Sequence, residues 1–195
     1  MGRWGPDARG PLEQAAVELC LERGFEQITV AEIAQRAGFS ERTFYRHFVD
    51  KPEVLFGGMG YLRDHVVSLV TAAPTSVTPM EAVVTAFEQA GSGLQDSVER
   101  LRHRQDAINA TPELQARELS KLAHIAEAIT HALRQRGVSE HAAMMAAEAG
   151  TLVFRITYGQ WIAQPRQYEW TVLFRQTLEE TGSIFSGVSP LAPHP

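Results

Sequence analysis

Residues 29–51, TVAEIAQRAGFSERTFYRHFVDK, decide how this chain folds. Thr29 followed three residues later by Glu32 is the pattern of a capping box, which opens a helix. Gly38 is a natural end for that helix, because glycine adopts the left-handed conformation of a C-terminal cap. Ser40 is a good N-cap for a second short helix. Two short helices joined by a glycine-containing turn have the layout of a helix-turn-helix, here over residues 29–48.

The second helix of this pair has one apolar side. Phe44 and Phe48 are four residues apart, so both point to the same face, and we expect them to pack on the first helix. The other side chains are then expected to face outward: Glu41, Arg42, Thr43, Tyr45, Arg46 and His47. Arg42 and Arg46 form a like-charged i, i+4 pair, which costs an isolated helix roughly 0.2–0.5 kcal/mol. An anionic partner bound at the two arginines would make their proximity favourable instead of costly. With Arg36 and Lys51 they make a modest, local positive face.

Outward from this segment, apolar spacing and cap residues predict an all-α chain of about nine helices and no sheet. The first helix ends at Gly24, and Pro52 is expected to open the fourth. The stretch Gly91-Ser92-Gly93 is predicted to interrupt the helix that follows a capping box at Thr78. The predicted organisation is an arm over 1–8, an N-terminal domain over 9–69 that shares the fourth helix with the next domain, a C-terminal domain over 70–187, and a disordered tail over 188–195.

Composition excludes several classes of protein. The chain has 195 residues, 44% hydrophobic, and its net charge is −5. No apolar run approaches the roughly 20 residues that a membrane span needs, and no secretory signal is recognised at the N-terminus, so we expect a cytoplasmic protein. The single cysteine, Cys20, is expected to be a buried structural thiol. The negative charge argues against nucleic acid, but a basic patch can lie on an acidic chain.

The helix expected over 139–164 is apolar over most of its circumference, which indicates burial on two sides. The second burial partner is either another subunit or, as the alternative, the core of a monomer. We expect a homodimer, and the residues predicted to form its interface are Ala146, Gly150, Trp161, Phe174 and Leu178.

One group of polar residues has the spacing of a metal site. His124, Glu127 and His131 lie at i, i+3 and i+7, but they point away from the apolar stripe of their helix, so a solvated face is the preferred interpretation. No glycine-rich phosphate loop, nucleophile elbow or paired-cysteine motif is present. We therefore predict no metal, no cofactor and no enzymatic activity, with an α-helical enzyme as a remote alternative.

The helix-turn-helix segment closely resembles the DNA-binding domain of the TetR (tetracycline-repressor-like) family. The family pattern is met by Thr29, Ile33, Ala34, Ala37, Gly38, Ser40, Thr43, Tyr45, His47, Phe48, Lys51 and Val54-Leu55. The resemblance covers roughly residues 9–56; the remainder is similar only in its number of helices. It implies a homodimeric regulator, usually a repressor, that a small-molecule effector releases from a palindromic double-stranded DNA operator. The alternative is an activator, or a DNA-binding protein controlled by a protein partner.

The resemblance also assigns DNA contacts residue by residue. Tyr45, His47 and Lys51 match the family's phosphate-contacting positions, with Thr29 and Thr43 as additional contacts. Lys51 is expected near the start of the fourth helix, where free backbone N–H groups also favour phosphate. The variable, base-reading positions are Glu41, Arg42 and Arg46. Arginine binds guanine O6 and N7, and glutamate accepts from cytosine N4.

The same resemblance implies a largely apolar effector cavity among the C-terminal helices. Candidate lining residues are Met59, His65, Met80, Phe87, His103, Phe154 and Tyr158, each with plain core packing as the alternative. Arg3, Trp4 and Arg9 either reach the DNA minor groove as an arm or belong to a frayed, solvated terminus.

Overall fold

The computed structural model describes residues 8–94, 97–164 and 167–186. These residues form nine α-helices and no strand, as the sequence predicts. The helices are α1 (Arg9–Arg23), α2 (Val30–Arg36), α3 (Glu41–His47), α4 (Gly57–Ala72), α5 (Pro79–Ser92), α6 (Val98–Asn109), α7 (Pro112–Gln135), α8 (Glu140–Ala163) and α9 (Trp170–Ser186). No helix of these ranges is both long and apolar enough to cross a membrane. The predicted tail at 188–195 and nearly all of the predicted arm lie outside the described residues.

Capping side chains begin the helices where the sequence places them. Thr29 and Thr78 each accept from the backbone three residues on and complete a capping box, and Ser40 caps α3. The fourth helix begins later than predicted. Pro52 opens a single 3₁₀ turn, Pro52–Leu55, and Phe56 at φ −113° and ψ 5° leaves the helical region before α4 starts at Gly57.

The chain divides into two compact units, and the division differs from the predicted one. The N-terminal unit contains the described residues up to Asp64 together with Ser97–His124. The C-terminal unit contains those from His65 to Leu94 and from Ile125 onward. Helices α4 and α7 each contribute to both units.

The N-terminal unit has one apolar core, drawn from α1, α2, α3 and the turn before α4. Ile108 of α6 and Leu114 of α7 are fully buried in this same core. They explain why the segment 97–124 belongs with the helix-turn-helix and not with the residues around it in sequence. Cys20 is buried here as predicted, and loss of solvation raises the pKa of its thiol to about 11.

The C-terminal unit is built from α5, α8 and α9 around aromatic side chains. The Trp170 ring centroid lies 5.6 Å from that of Phe154, 5.8 Å from Trp161 and 5.7 Å from Phe174. The Trp170 indole N–H donates to the backbone carbonyl of Glu88 at 3.0 Å. Helix α5 ends at Ser92 with Gly93 as its C-cap, within the Gly91-Ser92-Gly93 break that the sequence predicts. Gly91 lies in the last turn of this helix, and the Trp170 indole occupies the space that a side chain there would need.

Candidate nucleic-acid interface

The turn between α2 and α3 sets the geometry of the candidate interface. Gly38 has φ +77°, which L side chains rarely adopt. Its N–H donates to Gln35 O at 3.0 Å, and the Phe39 N–H donates to Ala34 O at 2.8 Å. This pair of bonds is a Schellman motif, which ends α2 and turns the chain sharply into α3. The predicted helix-turn-helix is therefore present.

Helix α3 is anchored by the two phenylalanines that the sequence placed on one face. Phe44 is fully buried and Phe48 nearly so, in a core that also contains Ile33 and Ala34. Their ring centroids are 5.2 Å apart. This anchoring fixes the rotation of α3 about its axis, and so decides which side chains reach solvent.

The solvent face of α3 carries the predicted base-reading residues. Glu41, Arg42 and Arg46 are exposed, and Tyr45 is 55% exposed. Within the described part of the chain, neither Arg42 nor Arg46 has an ion-pair or hydrogen-bond partner. Their guanidinium groups are thus presented to solvent with all donors open.

Thr43 and His47 are less exposed than the sequence predicts. Both are half-buried, because a seven-residue helix packed through Phe44 and Phe48 shields its flanks. The Thr43 hydroxyl lies 3.1 Å from that of Ser40. The His47 Nε2 atom is buried and has no hydrogen-bond partner among the described residues. The phosphate contacts assigned to these two residues stay predictions.

Lys51 has a structural role that the sequence did not indicate. Its ammonium donates to the carbonyls of Phe25 and Ile28, both at 3.0 Å. It also lies 4.2 Å from the centroid of the Phe25 ring. These bonds hold the connection between α1 and α2. An ammonium has three N–H bonds, so one remains for a phosphate, and that contact also stays a prediction.

Two other predicted contributors are already engaged within the protein. Arg36 pairs with Glu22 through two bonds of 2.8 and 2.9 Å, so it does not add to the positive face as predicted. The Thr29 hydroxyl donates to the Glu32 carboxylate at 2.8 Å. Hydrogen bonds from Arg23 and then from Thr29 lower the pKa of Glu32 to about 2.

A network of ion pairs holds the segment that follows α3, and the sequence gave no indication of it. Arg117 of α7 binds Asp50 through two bonds of 2.9 and 2.8 Å and lies 3.3 Å from Glu53. Lys121, one turn further, lies 2.6 Å from Glu53. Burial alone would raise the pKa of Asp50, but the hydrogen bonds from Arg117 and the Glu53 N–H outweigh it and hold the pKa below its ordinary value.

The seven predicted effector residues are divided between the two units. Met59 and His103 belong to the N-terminal unit, and the other five belong to the C-terminal unit. Of these, Phe87, Phe154 and Tyr158 are brought together: their ring centroids are 4.9 Å apart for the first pair and 6.0 Å for the second. Met80 is half-buried and His65 is exposed.

The predicted dimer residues require a correction. Ala146, Gly150, Trp161 and Phe174 are all buried inside the C-terminal unit, and Leu178 is half-buried. A Cβ at Gly150 would collide with Val83 of α5. These side chains therefore pack against other helices of the same chain. The face of α8 that stays apolar and accessible is instead the stripe of Met145, Ala149, Leu152 and Ile156.

His124, Glu127 and His131 are exposed, as expected for a solvated face. Among the described residues, no three His, Cys, Asp or Glu side chains are grouped so that they could hold a metal ion.

Comparison with known proteins identifies the class to which this fold and site belong. Residues 13–56 match the family of bacterial regulatory proteins of the tetR type. Residues 77–185, more than half of the chain, match the MftR C-terminal domain. The chain therefore belongs to the TetR family of helix-turn-helix transcriptional regulators.

Two curated relatives and one solved structure illustrate the similarity. The HTH-type transcriptional regulator TcmR of Streptomyces glaucescens is 33% identical over 79 residues, 40% of this chain and 35% of the relative. The putative mycofactocin biosynthesis transcriptional regulator MftR of Mycobacterium tuberculosis is 26% identical over 125 residues, 64% of this chain and 63% of the relative. The matches thus span about a third and just under two-thirds of these relatives. The regulator FadR of Bacillus subtilis, solved with stearoyl-CoA, shares the fold at a TM-score of 0.59 with 20% identity, over 87% of this chain and 95% of that one.

Proposed function

We propose that this protein is a sequence-specific, ligand-responsive transcriptional repressor that binds a palindromic operator as a homodimer, in the cytoplasm and without catalytic activity. The observation that carries the proposal is the solvent face of α3. It presents two guanidinium groups with no partner among the described residues, on a helix whose rotation is fixed by buried Phe44 and Phe48. Such a helix fits the major groove of DNA, where arginine reads guanine edges.

In this proposal Arg42, Arg46 and Glu41 read base edges, and Tyr45 contacts the phosphate backbone. Phosphate contacts fix the register of the helix on the duplex, whereas base contacts set the sequence preference. Thr43, His47 and the remaining N–H of Lys51 extend the phosphate contacts along the edge of α3. Thr29 joins them when its hydroxyl turns from the Glu32 carboxylate to a phosphate.

The test compares two DNAs: a duplex that the protein selects from a random pool and a shuffled duplex of the same composition. Replacing Arg42 or Arg46 by alanine should cost about 1–3 kcal/mol on the selected duplex and much less on the shuffled one. Arg102→Ala is the matched control, because Arg102 is exposed on α6 and is not assigned to DNA. Fluorescence anisotropy measures both affinities. Equal losses on the two duplexes would refute the base-reading assignment.

Lys51→Ala separates its structural contacts from its predicted phosphate contact. If Lys51 also binds phosphate, the variant weakens both duplexes alike and lowers the slope of log affinity against log salt by about 1. If the lysine only holds the carbonyls of Phe25 and Ile28, the free energy of unfolding falls while the salt slope is unchanged.

We propose that the dimer forms through the apolar stripe of α8 that includes Met145 and Ile156. Met145 is 57% exposed on this stripe, whereas Met144, 45% exposed, points about a quarter-turn away from it. Met145→Lys should therefore dissociate the dimer, and Met144→Lys should leave it intact. Sedimentation equilibrium distinguishes these outcomes, and a monomeric unmodified protein would exclude the dimer altogether.

We propose that the effector binds in the C-terminal unit beside the stack of Phe87, Phe154 and Tyr158. Thr151 supports this placement, since its hydroxyl is buried without a partner in the described residues, and such a group gains from a ligand that pairs with it. The fold is shared with a regulator solved with stearoyl-CoA, so long acyl thioesters are the first compounds to test. They should release the protein from the selected duplex, and Thr151→Val should weaken that release.

Transcription in vitro from a promoter carrying the selected duplex distinguishes repression from activation: a repressor lowers the transcript yield, and an activator raises it.

A further inference from the structure

The segment that follows α3, residues 49–56, contains one 3₁₀ turn and no α-helix. Basic side chains from α6 and α7 bind this segment at three points. The contacts are Arg117 with Asp50 and with Glu53, Lys121 with Glu53, and Arg104 Nε with the backbone carbonyl of Leu55. The path of the chain away from the recognition helix is therefore set by helices that are distant in sequence.

The contact nearest to α3 has the most closely defined geometry. Asp50 lies two residues after Phe48, the buried C-cap of α3. Arg117 Nη1 and Nη2 donate to the two carboxylate oxygens of Asp50 at 2.9 and 2.8 Å. Such paired bonds fix the orientation of a carboxylate as well as its position. Asp50 Oδ1 also accepts the Glu53 N–H at 2.9 Å, so one side chain links the backbone of the turn to α7.

Helix α3 is too short to hold its own ends in place. It has seven residues, and isolated helices shorter than about 12–15 residues are marginal in water. The Ser40 cap and the Schellman motif at Gly38 hold its N-terminal end. Its last turn carries Arg46 and leads into buried Phe48. The direction of that last turn therefore depends on the contacts of the segment that follows it.

We propose that Arg117 is a positioning residue for DNA recognition: its paired bonds to Asp50 fix the last turn of α3 and with it the direction of Arg46. Arg117 does not touch DNA in this proposal, and acts only through Asp50. Arg42 lies in the first turn, beside the Ser40 cap, and is not controlled in this way. The inference rests on the proposed function, in which both arginines of α3 read bases.

The experiment measures how strongly Arg46→Ala and Arg42→Ala weaken binding of the full chain to the selected duplex, each alone and combined with Arg117→Met. Alone, each should weaken binding about tenfold. Combined with Arg117→Met, the Arg46→Ala loss should fall to about threefold, because a misdirected guanidinium has little left to lose. The Arg42→Ala loss should stay at about tenfold. A general loss of stability would not separate the two arginines. Fluorescence anisotropy measures every affinity.

Lys121→Met is the matched control for Arg117→Met. It removes one positive charge one turn further along α7 and one contact with the same segment, at Glu53, and it leaves the paired bonds to Asp50 in place. It should leave the Arg46→Ala loss at about tenfold. If Lys121→Met reduces that loss as much as Arg117→Met does, the pairing with Asp50 has no special role and the proposal is wrong.

Arg117→Lys tests the geometry of the pair with little risk to folding. Lysine keeps the positive charge but cannot make the two parallel bonds. We expect it to reduce the Arg46→Ala loss as Arg117→Met does. An Arg46→Ala loss that stays at about tenfold in Arg117→Lys would show that charge alone is sufficient, and would contradict positioning by the paired bonds.

Asp50→Asn separates action through Asp50 from a direct contact of Arg117 with DNA. Asparagine keeps one oxygen for the Glu53 N–H but loses the charge and the second acceptor. Arg117→Met alone should weaken the selected duplex about threefold, and combined with Asp50→Asn it should cause no further loss. An undiminished loss in the Asp50→Asn chain, with a salt slope lower by about 1, would assign Arg117 to a phosphate and overturn the proposal.

The same measurements distinguish failure of this inference from failure of the proposed function. If Arg42→Ala and Arg46→Ala weaken the selected and shuffled duplexes equally in the otherwise unchanged chain, base reading is refuted and this inference falls with it. If both losses are specific to the selected duplex but Arg117→Met leaves the Arg46→Ala loss unchanged, only the inference is overturned. Phe48 and Lys51 would then be sufficient to hold α3. Circular dichroism and urea unfolding confirm that every variant is folded under the conditions of the binding assay.

Discussion

The two units of this protein are stabilised by different chemistry. Charged side chains link the segments of the N-terminal unit, as in the pairing of Arg36 with Glu22 and of Arg117 with Asp50. Stacked and edge-on aromatic rings around Trp170 fill the C-terminal unit. The difference shows that in the N-terminal unit directional pairs at the surface link the segments around an apolar core, and such pairs respond to salt and acid. In the C-terminal unit the segments are held by the shape of packed rings, which responds to changes of volume.

The largest effect is expected from removing the central ring of the C-terminal unit. Trp170→Ala should lower the free energy of unfolding by about 3–5 kcal/mol, because it deletes a fully buried indole and leaves a cavity. Val172→Ala on the same helix is the control: Val172 is 57% exposed, so its loss should stay within about 0.5 kcal/mol. Urea denaturation measures both. Similar costs for the two variants would contradict the shape-based account.

An added methyl group in the same unit should be the next most damaging change. Gly150→Ala places a Cβ against Val83 and should cost about 1–3 kcal/mol through overpacking. Gly159→Ala on the same helix meets nothing within 4 Å and should gain about 0.5–1 kcal/mol from helix propensity. If Gly150→Ala dissociates a dimer without loss of monomer stability, Gly150 lies at an interface after all.

In the N-terminal unit the two ion pairs of Arg117 should contribute less to stability. Arg117→Met removes both bonds to Asp50 and the contact with Glu53, and we expect a loss of about 1 kcal/mol, since these groups are partly exposed. Arg134→Met on the same helix removes a 3.9 Å pair with Glu140 that is more than half exposed. It should have no measurable effect. The Arg117 loss should shrink at high salt, and a salt-independent loss would point to packing instead.

The smallest expected effect is the loss of stability at low pH that Glu32 accounts for. Arg23 and then Thr29 lower the pKa of Glu32 from 4.5 to about 2. Because the pKa is depressed in the folded state, the contribution of Glu32 is present above pH 4.5 and is lost as the pH falls towards 2. Unfolding curves of the wild type and of Glu32→Gln should therefore differ at neutral pH and converge between pH 4.5 and 2. A difference in unfolding free energy that persists at pH 2 would show that the substitution acts through the shape of the side chain and not through its charge.

The sequence by itself determined the local features of this protein. Thr29, Gly38 and Ser40 predicted the helix-turn-helix and its boundaries, and Phe44 with Phe48 predicted which face of α3 is buried. These predictions succeeded because caps and helical periodicity act over four residues or fewer, a distance that the sequence records directly.

Tertiary structure alone decided what each group meets across the fold. Arg117 binds Asp50 across 67 residues of sequence. Lys51 donates two of its N–H bonds to the carbonyls of Phe25 and Ile28, and Gly150 lies against Val83 of α5. An apolar or charged helix face has the same sequence pattern whichever surface packs against it. Which surface covers it depends on the packing of distant helices, and helical periodicity carries no information about that partner.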